Sequence, residues 1–241
     1  MHYFAYDGTS NGFFTAVFDA YAFSNTKIVC EAIQLSLTDE ITNVKTDGEK
    51  AARVLRKIRK CDRRAEFETD KILHSDFLNR SDIAYRYIRA LLKHGAPVRE
   101  QLTNTDVFNA MEVVRKVEKE TERFRGFLRF METKNGVLYA PYSPDNDITE
   151  YLLPHFISRF SNIPFVIHDI KREKAGFYDK KNAFTASLNK SDIYLSDGEQ
   201  DFCALWKEYY AAVNIPERKR LNQMKGYMPV RYWKFLPEKQ P

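Results

Sequence analysis

The side chains whose types and spacing suit chemistry fall in four places. His155 and Arg159 lie four apart in Leu152-Leu153-Pro154-His155-Phe156-Ile157-Ser158-Arg159-Phe160 and share a helical face beside the stripe Leu152, Phe156 and Phe160. A His and an Arg at the margin of a core can bind a phosphate together. The plainer alternative is that they close the rim of that core by snorkelling and local hydrogen bonds. His168-Asp169 ends the run Phe165-Val166-Ile167, with Arg172 three residues on. The C-terminal end of a buried strand is where α/β proteins often place site residues, so His168 and Asp169 are candidates for general acid or base work, and Arg172 for an anion. Against this, successive strand residues point to opposite faces, which favours a structural role for the pair. A cavity shared by His155, Arg159 and His168 is the expectation that would make them one site.

The third place is the C-terminal segment from Trp206 to Pro241, which holds eight Lys and Arg against three acids. Its surplus equals the +5 of the whole chain, so the remainder is balanced. Arg218, Lys219, Arg220, Lys225, Arg231 and Lys234 alternate with Tyr227, Tyr232 and Trp233. Bases of this kind neutralise phosphates, and aromatic faces stack on nucleobases, so Trp233 joins the cations as a nucleic-acid-binding candidate. The competing reading is a solvated basic helix whose aromatics dock on the domain. A one-sided charge points to a polyanion, and nucleic acid is the expected partner. Fourth, Asp7-Gly8-Thr9-Ser10-Asn11-Gly12 can seat an anion at a helix N-terminus or be a simple turn. It has neither the Lys nor the spacing of a P-loop and is no dinucleotide fingerprint.

No nucleophile elbow, zincin motif or kinase signature is present. Cys30, Cys61 and Cys203 are odd in number and far apart, with none of the close spacing of zinc or iron–sulfur sites. No metal and no cofactor are expected. The opening Met1-His2-Tyr3-Phe4-Ala5-Tyr6-Asp7 lacks the basic and apolar regions of a signal peptide, and no apolar run reaches a membrane span, so a cytoplasmic location is the expectation.

The elements that must position these groups follow from periodicity. A strand from Tyr3 to Tyr6, a helix from Ser10 to Tyr21 and a strand from Val29 to Leu37 come first. Residues 47–123 read as a helical insert. Its helices are capped by Asp47, by Ser81 with Gly95 as its stop, and by Asn104 or Thr105. Lys134-Asn135-Gly136 between Phe127–Glu132 and Val137–Tyr142 is a hairpin signal. Asp147-Ile148-Thr149-Glu150 resembles a capping box for a helix to about Phe160. Strands at Phe165–Ile170 and Ala183–Leu188 follow, then a helix from Asp197 to Val213 and a short basic helix from Pro216 to about Gly226. The predicted fold is a single α+β unit over residues 1–241. It has a small mixed or antiparallel sheet packed by helices, and residues 206–241 form its basic aromatic C-terminal segment.

Taken together, Tyr6-Asp7-Gly8, Gly12-Phe13, Arg125-Gly126-Phe127-Leu128-Arg129-Phe130, His155-Phe156, Arg159-Phe160, Ile167-His168-Asp169, Arg172, Trp206-Lys207, Tyr209-Tyr210, Ile215-Pro216-Glu217-Arg218, Met228-Pro229 and Arg231-Tyr232-Trp233-Lys234 resemble a bacterial family of probable DNA metabolism proteins. The likeness covers both ends well and the helical middle poorly. It implies association with a radical S-adenosylmethionine (radical SAM) protein thought to act on DNA and, in some members, fusion to a uracil-DNA glycosylase-like domain. It supplies no catalytic residue. With no cysteine triplet in this chain, any radical chemistry would belong to a partner. The expected function is a DNA-binding accessory or repair factor. The alternatives are a metal-independent hydrolase or glycosylase-like enzyme using His168 or Asp169, and a non-catalytic protein-interaction module.

Overall fold

The structure, a computed structural model, describes residues 1–30, 39–101, 103–189, 195–213 and 220–240. It is mixed α+β and divides into two compact units, Met1–Val117 and Glu118–Pro241.

The first unit begins with β1 (His2–Ala5), α1 (Ser10–Ala20), β2 (Thr26–Val29) and β3 (Glu40–Asn43). The three strands form a parallel sheet in the order β2-β1-β3. Four helices follow: α2 (Gly48–Cys61), α3 (Arg64–Leu73), α4 (Arg80–His94) and, after a 3-10 turn at Ala96–Glu100, α5 (Thr105–Phe127), which continues into the second unit. Phe4 and Ile28 of the sheet share one core with Phe13, Val17, Ile58, Ile88 and Leu91, so the helical block is packed into the core of the first sheet.

Local signals explain most of these boundaries. The Asp47 carboxylate accepts from the N–H groups of Glu49 and Lys50 at 2.8 and 3.2 Å and starts α2. Asn104 does the same for α5 through Asp106 and Val107. Gly95, at φ +77°, ends α4 by donating its N–H to the Leu91 carbonyl. Ser81 is not a cap: α4 starts one residue earlier, and Ser81 is buried against the Tyr6 hydroxyl at 3.0 Å. Phe108 of α5, although large and apolar, is exposed. Helix α3 has no counterpart in the sequence-based elements, and the strand expected over Val29–Leu37 is displaced: β2 spans Thr26–Val29 and stops before Cys30, while 31–37 lie outside the described residues.

The second unit is built on a five-stranded sheet, not on the sheet of the first unit. Its strands are β4 (Met131–Glu132), β5 (Leu138–Tyr142), β6 (Phe165–Asp169), β7 (Lys174–Tyr178) and β8 (Ala183–Ser187), in that spatial order. Only β5 and β6 are parallel, joined by the crossover helix α6 (Thr149–Arg159). The Asn135-Gly136 turn closes the β4–β5 hairpin with Gly136 at φ +71°, but α5 runs to Phe127 and leaves β4 only two residues. The expected capping box is absent: Asp147 and Glu150 instead grip Lys174 at 2.9 and 3.1 Å. Strand β7, missed in the sequence, needs Gly176, because a Cβ there would stand 2.9 Å from Leu153 Cδ2 and 3.1 Å from Thr149 Cγ2 of α6. The chain ends with α7 (Glu199–Val213), α8 (Leu221–Tyr227) and 3-10 turns at Val230–Phe235 and Pro237–Lys239.

Candidate functional site

Register decides where the predicted residues go. Helix α6 covers the face of the sheet carrying Phe165 and Ile167, with Phe156 edge-on to Phe165 and Leu153 over Gly176, the partner of Ile167. His168 is one residue out of phase and therefore points to the opposite face, where its Nδ1 meets the Tyr139 hydroxyl at 2.8 Å. His155 and Arg159 belong to α6, so the expected cavity shared with His168 does not form. His168 and Asp169 are 1% and 0% exposed. Asp169 accepts from the N–H of Lys171 and from Arg172 Nη1 at 2.8 Å. Burial raises its pKa against these bonds. The Arg172 guanidinium also binds the carbonyls of Pro144 and Asp145 and so fastens the loop before α6.

The C-terminal segment divides in the same way. Tyr232 is a core residue, with its ring 4.5 Å from Phe124 and its hydroxyl donating to Glu120 at 2.6 Å. Glu120 is itself buried and also accepts from the N–H groups of Asp145 and Asn146. Arg231 binds Asp145. Trp233 is half-buried and donates Nε1–H to the Met228 carbonyl at 3.1 Å. Arg220, Lys225 and Lys234 are exposed, whereas Arg218 and Lys219 lie outside the described residues.

What the structure does assemble is a groove of about 570 Å³ on the second unit. The end of α5 and the residues after it supply Arg125, Arg129 and Phe130; α6 supplies Phe156 and Arg159; Phe160 follows; and α7 supplies Glu199, Phe202, Cys203 and Trp206. Two further hollows, of about 700 and 300 Å³, share Met131 and Cys203 with it and add Lys134, Lys207 and Lys234. Arg129 holds the wall together: its Nη2 binds Glu238 at 2.6 Å, its Nη1 binds the Gly126 carbonyl at 2.8 Å, and its guanidinium lies 5.4 Å from the Trp206 ring. Trp206 donates Nε1–H to the same Glu238 at 2.9 Å, so both side chains are aimed by one buried carboxylate. Burial opposes the charge on Glu238, but the bonds from Arg129, the backbone and Trp206 outweigh it and lower its pKa.

Arg159 is exposed, lies 5.6 Å from the Phe160 ring, and has no acidic partner among the described residues. Phe202 is 67% exposed. Of the acids in the walls, Glu199 is buried and accepts the Glu132 N–H, and Asp197 faces solvent beside Lys134. The chain belongs to the DUF4130 family, a domain of unknown function. The family model matches residues 78–238, a span that contains every residue of the groove. No curated protein matches the chain.

Cys203 is no activated nucleophile, because burial and the neighbouring Glu199 carboxylate push its thiol up. Among the described residues no group of three or more His, Cys, Asp or Glu is placed to hold a metal. Nor is any helix among them long and apolar enough to cross a membrane. Of the groove and the hollows beside it, sequence reasoning singled out Arg159 and Lys234 as binding residues and passed over Arg125, Arg129, Phe202 and Trp206 in that role. The available signal was spacing within α7, where Phe202 and Trp206 are four apart and share a side of the helix; Arg125 and Arg129 straddle the end of α5, and no spacing rule pairs them.

Proposed function

We propose that this protein is a cytoplasmic DNA-binding accessory or repair factor that works beside a radical SAM protein and contributes grip rather than chemistry. The observation that carries the reading is the groove: six Lys and Arg in its joined walls against two acids, with aromatic rings between them. Cations neutralise backbone phosphates whatever the sequence, and aromatic faces accept any base. The one-sided charge of the C-terminal segment and the likeness to DNA metabolism proteins support the same partner. The burial of His168 and Asp169 gives a hydrolytic reading no reaction surface.

A salt titration tests the proposal. Binding of the full chain to labelled DNA should weaken as salt rises, with log affinity falling by about 0.7 to 0.9 per neutralised phosphate. With three to six contacts, affinity should drop roughly 20- to 2,000-fold between 50 and 200 mM salt. Absence of saturable binding at low salt, or binding indifferent to salt, overturns it.

A further inference from the structure

The geometry points to a narrower ligand for this groove: a single strand, held by its phosphates at Arg159 and by an unstacked base against Phe202. This inference rests on the nucleic-acid reading above and names its substrate class. The floor of the groove is apolar and aromatic, with Phe156, Phe160 and Trp206 in it. A duplex hides its base faces in its own stack and presents phosphates and groove edges, so such a floor would have nothing to cover. An unpaired base offers a π-face that any aromatic side chain can take.

Two side chains are left open for this. Phe202 is 67% exposed, although its neighbour one turn on, Trp206, is tied down through Glu238 and Arg129. Arg159 has its guanidinium in solvent with no acidic partner among the described residues, next to the same aromatic floor. Arg129 cannot serve as freely, because Glu238 and the Gly126 carbonyl already occupy it. Anchored groups set the shape of the wall and unanchored ones meet the ligand, so only the latter have to be ordered on binding. The two further hollows extend the trough past Lys134, Lys207 and Lys234, which suits several linked nucleotides better than one.

The test compares three labelled probes with the full chain at one salt concentration: a 12-nucleotide thymidine oligomer, a hairpin duplex of equal charge, and an abasic oligomer with the same backbone. The thymidine oligomer should bind at least about tenfold more tightly than the other two, reflecting one or more stacked bases. Phe202→Ala should weaken it roughly 5- to 150-fold while leaving the salt slope unchanged. Arg159→Ala should instead lower the slope by about 0.7. Phe67→Ala removes an equally exposed aromatic in the first unit and should change nothing. Circular dichroism verifies that each variant is folded. Equal affinity for all three probes, or a folded Phe202→Ala protein that binds the thymidine oligomer normally, overturns the single-strand assignment and leaves the DNA-binding reading standing. Failure of every probe to bind overturns both.

Discussion

Tyr232 carries the most testable claim about the C-terminal segment, since it decides whether that segment is fastened or free. Its hydroxyl donates to Glu120 at 2.6 Å, and its ring stands 4.5 Å from Phe124 in a site where it is 1% exposed. Removing only the hydroxyl, as in Tyr232→Phe, deletes one buried bond to a carboxylate, worth about 1.5 to 3 kcal/mol. The lower part of that range applies, because Glu120 keeps the Asp145 and Asn146 N–H groups and the Asn146 side-chain amide at 2.9, 2.8 and 2.6 Å. Tyr232→Ala also empties the ring site and should cost about 3 to 5 kcal/mol. Urea unfolding reads both changes. With a slope of about 1 to 3 kcal/mol per molar, the Tyr232→Phe midpoint should fall by roughly 0.5 to 2 M with the slope preserved. Pairing it with Glu120→Gln in a double-mutant cycle should give a coupling above about 1 kcal/mol. A Tyr232→Phe protein within about 0.5 kcal/mol of the parent would refute the reasoning, because a docked tyrosine cannot lose this bond without consequence.

Two further outcomes follow from packing and titration. Gly176→Ala places a methyl 2.9 Å from Leu153 Cδ2, so it should cost about 1 to 3 kcal/mol in a thermal or urea melt, and Gly176→Ala combined with Leu153→Ala should cost less than the sum of the two single changes, because the truncated side chain makes room for the methyl. Stability should also decline at alkaline pH: burial pushes the Tyr139 phenol from 10.0 up to about 12, so above pH 10 the unfolded chain releases a proton that the native state keeps. This contribution is fully present below pH 10 and fades as pH rises through about 12, at about 1.4 kcal/mol per pH unit, and Tyr139→Phe should flatten that part of the profile measured by urea melts.

Helix periodicity and punctuation were legible in the residues. The Asp47 and Asn104 caps, the Gly95 stop and the Asn135-Gly136 turn each act through bonds to residues a few positions away, so a local reading captures them. Ser81 and Asp147 look like caps by the same rules, yet each is claimed by a distant partner, Tyr6 and Lys174 respectively. Strand β7 was hidden because Lys174-Ala175-Gly176-Phe177-Tyr178 carries a glycine whose reason lies on another element, in Leu153 and Thr149 of α6.

The site shows the same division more sharply. From the sequence alone came the α+β class, the surplus of positive charge near the C-terminus, and Arg159 beside an aromatic stripe, because composition and helical spacing are properties of the chain itself. Only the tertiary structure decided that His168 turns away from His155, since α6 takes the other face of the sheet and a strand must alternate. It alone decided that Tyr232 is fastened while Phe202 is open, and that Arg125, Arg129, Arg159 and Trp206 meet in one groove. Those residues come from the end of α5 and the chain just after it, from α6 and from α7, separated by up to 81 positions, and no local preference encodes which segments meet; the burial of apolar surface between them does.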